Sequence, residues 1–283
     1  MMFKISNLTY QYEKNKLALN NINMDFSKGN VIGVIGSNGS GKSTLFMNLM
    51  GILKPTSGEI LFDEKKIKHD KKSLYNLRKD VGIVFQDPEK QIFYSMVYDD
   101  IAFALRNIGI NEETIKERIH EALEAVNGID FINRPIHFLS YGQKKRVAIA
   151  SVIAMKNKIV LLDEPTAGLD PISTRLIIDI IKKLSKNNVK VIISSHDMNL
   201  IYDICDYTYI LNKGNIVEEG LTEEVFINED KIIDAGLELP WLVKVCKNMN
   251  FPIFKNERDL YKYWNEKIEN VEFIRKKSIE KVT

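Results

Sequence analysis

Gly36-Ser37-Asn38-Gly39-Ser40-Gly41-Lys42-Ser43 has the residue types and spacing needed to hold a polyphosphate. The run fits G-x-x-x-x-G-K-[ST], and Thr44 follows it directly. Glycines in such a loop let backbone N–H groups approach an anion without a Cβ clash. A helix beginning near Lys42 would aim its positive dipole end at the same charge. Lys42 is then expected to neutralise the β- and γ-phosphates of a nucleoside triphosphate, and the Ser43 hydroxyl to ligate Mg²⁺. A glycine-rich strand-to-helix turn with a chance lysine is the plain alternative. The flanks argue against it. Val31 to Ile35 is the apolar, β-branched run of a strand buried on both faces, and Leu45 to Ile52 reads as a helix.

A second candidate group lies far downstream. Ile159 to Leu162 is an apolar strand ending in Asp163-Glu164. A carboxylate at a strand end beside such a loop can hold Mg²⁺ through water, and Asp163 has that place. Glu164 is then placed to polarise an attacking water as general base. An acidic N-cap before Pro165 would account for one of these carboxylates but not for both. Ser140 reads locally as the N-cap of a helix from Gln143 to Met155, which would also present backbone N–H groups to an anion.

The elements that must position these residues are legible in outline. Phe3 to Tyr12 and Ile22 to Phe26 alternate with period two, with Asn20-Asn21 and Lys28-Gly29-Asn30 as turn signals, and predict antiparallel strands. The stretch from Pro88 to Met155 is mostly helical in pattern, including an Asn111 N-cap followed by Glu112 and Glu113. Strand character returns at Ile159 to Leu162 and Val189 to Ile193, with a helix opened by Pro171 between them. Tyr207 to Leu211 and Ile216-Val217 form a closing pair around Lys213-Gly214-Asn215, and Thr222-Glu223-Glu224 reads as the cap of a short helix. Strands alternating with helices imply an α/β core with a mostly parallel sheet.

Composition excludes several classes. A formal net charge of +2 over 283 residues gives no electrostatic case for nucleic-acid binding. Two distant cysteines, Cys205 and Cys246, fit a reducing compartment and argue against a disulfide framework or a structural zinc. His69, His120 and His137 have no metal-ligand spacing. Met1 to Ile5 lack the apolar core of a signal peptide, and no stretch reaches the ~20 apolar residues that span a bilayer.

Taken together, Gly36 to Thr44, Leu139-Ser140-Tyr141-Gly142-Gln143, Asp163-Glu164-Pro165-Thr166, Gly168-Leu169-Asp170 and His196 resemble an ATP-binding-cassette (ABC) ATPase, in the right order over most of the chain. The resemblance implies a P-loop NTPase fold of the ABC type. Its parts are a mostly parallel core sheet, an N-terminal antiparallel β subdomain, an inserted helical subdomain at about 88–155 and a C-terminal helical extension. The nucleotide-binding domain would span 1–228 and the extension 229–283.

The cofactors it implies are ATP and Mg²⁺. Tyr12 would stack on adenine, with Tyr10 as rival. Gln86 would reach Mg²⁺ and the attacking water, although a glutamine after a strand is otherwise an ordinary loop residue. His196 would contact the γ-phosphate, although a solitary histidine is usually structural. Asp170 would order a dimer interface. Ser140, Gly142 and Gln143 would close on the γ-phosphate of the opposite subunit, giving two composite sites in a head-to-tail dimer. Tyr141 stands where the commonest form of the motif has its first glycine, so the packing of that turn is a point to examine.

The segments Val84 to Phe93, Val97 to Phe103 and Leu139 to Ala150 look most like the ATPase component of energy-coupling-factor (ECF) transporters, in the cobalt/nickel importer branch. That resemblance implies a transport-coupled ATPase at the cytoplasmic face of the cell membrane, held peripherally. Its partners would be a second ABC ATPase subunit (homodimer or heterodimer), a transmembrane ECF component and a substrate-specificity component. The cargo would be a cobalt or nickel ion or a vitamin. An ATPase of another importer, or a soluble non-transport ABC ATPase, are the competing readings. The membrane partner would sit in a groove near Gln86 to Phe103. Leu239-Pro240-Trp241-Leu242 in the extension could seed a dimer contact or cap its own domain.

Overall fold

The computed structural model describes residues 2–13 and 16–267. Among the described residues, ten strands form two sheets. The first is antiparallel, in the order β2-β1-β4-β5, from β1 (Phe3–Glu13), β2 (Lys16–Asp25), β4 (Ser57–Phe62) and the short β5 (Lys65–Lys66). The second has six strands in the order β10-β9-β3-β8-β7-β6. Its members are β3 (Val31–Ile35), β6 (Val81–Val84), β7 (Ile159–Asp163), β8 (Lys190–Ser195), β9 (Tyr207–Asn212) and β10 (Asn215–Leu221). All neighbouring pairs from β9 to β6 are parallel, and only β10 is antiparallel.

The apolar runs of β3, β7 and β8 follow from this layering. Side chains alternate across a strand, and both faces of this sheet are covered. Ile32 and Val34 of β3, Ile159 and Leu161 of β7 and Ile192 of β8 face one core, which they share with Leu45, Phe46 and Leu49 of helix α1 (Lys42–Leu49) and the inner face of the antiparallel sheet. Val31 and Ile35, Val160 and Leu162, and Val191 and Ile193 face the other core. Helices α2 (Lys71–Asp80), α3 (Val97–Asn107), α4 (Glu112–Ala125) and α5 (Tyr141–Ala154) come before β7; the last three pack on one another as the inserted helical block. Then come α6 (Pro171–Lys186) and α7 (Met198–Ile204). Each fully buried Ile or Leu on these faces contributes roughly 1.5–3 kcal/mol relative to exposure, so the sheet is a rigid platform for what stands at its edge.

Two local readings are corrected. Asn20-Asn21 is not a turn but lies inside β2, where Asn21 takes φ +50 at an irregularity of the pairing. A bulge uses the same left-handed-tolerant residues as a turn, which is why the two look alike in sequence. Thr222 does not cap its helix. It begins α8 (Thr222–Ile227), whose N-cap is Leu221, and its buried hydroxyl pairs with Thr208 Oγ1 at 2.9 Å.

The chain after α8 continues through α9 (Glu229–Asp234) and α10 (Trp241–Asn248) to a helical stretch at 257–267. Leu239, Leu242, Val243, Cys246 and Leu260 are buried in the larger core. Of Leu239 to Leu242, three side chains are buried against their own chain and Trp241 is exposed. Residues 268–283 of the extension lie outside the described residues.

Cys205 and Cys246 are both free and buried, and burial pushes the Cys205 thiol up. The thiolate is the reactive form. A thiol-reactive aromatic disulfide should therefore label neither residue in the native protein and both after denaturation; fast native labelling would contradict this packing.

Candidate active site

In parallel strands all carboxyl ends meet at one sheet edge, and ligands of open α/β sheets collect there. The register makes this concrete. Ile35 pairs with Ser195, Asp163 with Ser194, and Val84 with Leu162. The chain therefore leaves β3 into Gly36, β7 into Glu164, β8 into His196 and β6 toward Gln86 along a single edge.

Gly36 to Gly41 turns tightly onto α1. A Cβ at Gly36 would stand 2.3 Å from the Leu211 carbonyl oxygen and 2.4 Å from Ser40 Oγ, so no other residue fits. Gly41, the N-cap of α1, sits at φ +112, where a Cβ would also meet the Ala18 carbonyl at 2.6 Å. The helix has no side-chain cap and no acidic residue in its first turn. Its first N–H groups, with no intrahelical partner, are left to bind an anion. Among the described residues, Ser40 Oγ is likewise buried without a hydrogen-bond partner.

Lys42 is buried, and its ammonium donates to Gly36 O at 2.7 Å and Ser37 O at 3.3 Å. Burial holds its pKa below the usual lysine value, against the opposing pull of Glu164 and Asp163. Glu164 Oε1 lies 3.7 Å from Lys42 Nζ, and Oε2 lies 2.9 Å from His196 Nδ1. Ser195 Oγ and the His196 N–H donate to the same Oε2 at 3.4 Å. Glu164 adopts φ +46, a conformation uncommon for a non-glycine residue. Its N–H donates to Ser194 O at 3.0 Å and faces Ser194 Oγ at 3.2 Å. Ser194 Oγ in turn hydrogen-bonds Asp163. Serines on β8 thus orient the last carboxylate of β7, Asp163, and the one just beyond it, Glu164.

The other predicted residues are held by other contacts. Tyr12 Oη is 3.1 Å from Thr44 Oγ1, and its exposed ring meets Tyr10 edge-on at 5.0 Å, whereas Tyr10 packs against the smaller core. Ser140 N-caps α5, which starts at Tyr141 rather than Gln143. The capping box is complete: the Gln143 N–H donates to Ser140 Oγ at 3.3 Å and Gln143 Oε1 accepts from the Ser140 N–H at 2.9 Å. Among the described residues no hydrogen bond or ion pair joins Ser140, Gly142 or Gln143 to the loop Gly36 to Thr44. Gln86 is held by its backbone, and its exposed side chain makes no hydrogen bond among the described residues. Asp170 caps α6, accepting from the N–H groups of Ile172 and Ser173 at 2.9 Å.

Tyr141 fits the turn without strain. It lies against Gly168 and donates its hydroxyl to Gln86 O at 3.0 Å. Three features were missed in the sequence. Ser194 and Ser195 look like ordinary strand residues. Lys145 is fully buried beside the site, and its only signal was a lysine three and four residues before the apolar Ala148 and Ile149. Burial pulls its pKa down to about 8. Finally, the extension borders the site. A cavity of about 520 Å³ is lined by Ser37, Asn38, His196, Leu239, Trp241 and Lys244, among others.

A family model described as ABC transporter matches residues 19–167. The chain belongs to the ABC transporter family. The cobalt import ATP-binding protein CbiO of Salmonella typhimurium is 46% identical over 260 residues, covering 92% of this chain and 96% of that protein. The energy-coupling factor transporter ATP-binding protein EcfA of Methanocaldococcus jannaschii is 42% identical over 270 residues, covering 92% and 97%. The solved structure of CbiO1 from Clostridium perfringens, part of the ABC transporter complex CbiONQ, superposes with a TM-score of 0.74 at 40% identity, covering 88% of this chain and 98% of that one. As an ABC ATPase the chain binds ATP, and the loop, Lys42 and the free end of α1 form an anion cradle suited to its phosphates.

Proposed function

We propose that the chain is the ATP-hydrolysing subunit of an ECF-type importer, working as a pair of ABC ATPases under a transmembrane component and a substrate-specificity component. The observation that carries the reading is Glu164, buried at the end of β7 between Lys42 and His196. A carboxylate there, next to a phosphate cradle, can accept the proton of a water attacking the γ-phosphate. Lys42 and the loop N–H groups hold the phosphates, and His196 orients Glu164 and the terminal phosphoryl group. Tyr12, exposed and joined to the end of the loop through Thr44, offers its ring to adenine.

The donors available for Mg²⁺ are hard oxygen groups, Ser43, Asp163 and the Gln86 amide, which suit that cation. When bound it would neutralise charge developing on the β- and γ-oxygens. Ser140 and Gly142 are assigned to the other subunit's nucleotide, since their contacts lie within α5 and its neighbours rather than on their own loop.

Relatives named as cobalt import and energy-coupling factor ATPases support a cobalt ion or a related micronutrient as cargo. No helix among the described residues is long and apolar enough to cross a membrane. As the ATPase of such an importer, the chain is assigned to the cytoplasmic face, held by its membrane partner. An apolar cavity of about 600 Å³ between α2, α3 and α5, lined by Leu74, Tyr75, Phe103, Val152 and Met155 among others, is the seat for that partner.

Phe103→Asp should release the chain from membranes and abolish ATP-dependent accumulation of radiolabelled cobalt, while ATPase activity in the isolated protein is kept. Burying an unpaired carboxylate in an apolar seat costs several kcal/mol, enough to dissociate a complex of moderate affinity. Full membrane retention and uptake by that variant would rule out this seat. Purification from membranes with no multi-spanning partner would rule out the importer.

A further inference from the structure

Lys145 has no role in the reading above, yet it is fully buried and its ammonium reaches three backbone carbonyls. It donates to Gln86 O at 2.6 Å, Phe85 O at 3.2 Å and Glu164 O at 3.2 Å. An ammonium has three N–H donors and no acceptor, so these carbonyls use it completely. They belong to two segments: the chain leaving β6 toward the helical block, and the chain leaving β7 at Glu164. The lysine itself rides on α5, five residues after Ser140, a rise of about 7.5 Å along the helix. Tyr141, one turn before Lys145, donates to the same Gln86 carbonyl at 3.0 Å. Two residues on one face of α5 thus grip Gln86, and one of them also holds Glu164.

Stability alone does not explain this arrangement. A buried charge is costly even when compensated, so the net return from this lysine is smaller than three hydrogen bonds suggest, although removing it alone would leave three carbonyls without that donor. The carboxylates of Asp163, Glu164 and Asp87 favour the cation here. What a methionine could not supply is a directional joint between α5 and the two strand ends.

We propose that Lys145 is a positioning residue that links the Ser140 end of α5 to Gln86 and Glu164 of its own chain, so that nucleotide engaged by one site sets the carboxylate of the other. This rests on the composite-site reading, in which Ser140 faces the second subunit's ATP. A rigid helix capped at Ser140 and fastened at Lys145 carries a displacement of its N-terminus to both strand ends. The two sites then share a coupling free energy, and ATP binding at each favours the other.

The test compares Lys145→Met, which keeps the shape, with Lys145→Gln, which keeps N–H donors, in the full-length protein. ATPase rate is measured against ATP concentration, alongside ATP affinity by fluorescent-nucleotide titration and the midpoint of thermal unfolding. The wild type should be cooperative, with a Hill coefficient between 1 and ~2 for two sites. Lys145→Met, which leaves three carbonyls without that donor, should melt lower yet stay folded and keep ATP affinity, lose about tenfold or more in kcat, and fall to a Hill coefficient near 1. Lys145→Gln should recover most of the rate and cooperativity. A Lys145→Met enzyme as fast and cooperative as wild type overturns the proposal alone. So does loss of folding in both variants, which would make the lysine structural. A wild type that is non-cooperative at every protein concentration removes the composite-site reading, and the proposal with it.

Discussion

Glu164→Gln is expected to bind ATP at least as tightly as wild type and to hydrolyse it at least about a hundredfold more slowly, the scale of a lost general base. The substitution is nearly isosteric and leaves the local fold in place. Glu164 is buried at φ +46, held by its N–H to Ser194 O at 3.0 Å and by its carbonyl to Lys145 Nζ at 3.2 Å, and none of this needs the carboxylate. The amide oxygen can still accept from His196. What disappears is the proton acceptor. A negative charge 3.7 Å from Lys42 also disappears, which leaves that ammonium free for phosphate, so affinity should rise rather than fall. Fluorescent-nucleotide titration and phosphate release measured together decide the matter. A variant that hydrolyses at the wild-type rate would take the role of base away from Glu164, and His196 would be the next group to test.

How far such a site could be read without coordinates depends on how its parts are distributed along the chain. Gly36 to Thr44 is contiguous, and each residue type there answers a local need for a tight turn, free N–H groups or a cation. Asp163 and Glu164 are almost as plain, because two carboxylates closing an apolar strand have few other uses. The alternation of β3, β7 and β8 between two cores accounts for their unbroken apolar runs, so the parallel sheet was legible as well. Contacts between segments were not. Ser194 and Ser195 orient Asp163 and Glu164 from the neighbouring strand, and nothing in their own segment marks them. Lys145 looks like one of three adjacent cations, Lys144 to Arg146, until the helix turns it inward. The exposed Gln86 amide shows the opposite case: the position is fixed through the backbone, while the side chain expected to act is not yet engaged. Asn20-Asn21 misled because bulges and turns draw on the same backbone conformations.

Mixing two inactive variants should restore activity, and this is the sharpest test of the dimer. Lys42→Ala removes the cation that meets the phosphates. Ser140→Asp keeps a good N-cap for α5, since aspartate caps as well as serine, but sets a carboxylate against the incoming phosphate. Each homodimer then has two disabled sites. In a head-to-tail pair with two-fold symmetry, the Lys42→Ala loop faces the Ser140→Asp signature, so both lesions fall in one site and the other is intact. Random exchange makes half the dimers mixed, each with one working site of two, so about a quarter of wild-type activity should return if the sites act independently. Coupling through Lys145 would hold the recovery below that figure. The control combines both substitutions in one chain and mixes it with wild type, which leaves no intact site in any mixed dimer. If demonstrated mixed dimers of the single variants stay inactive, Ser140 does not complete its partner's site, and the two halves of the chemistry must be sought within one subunit.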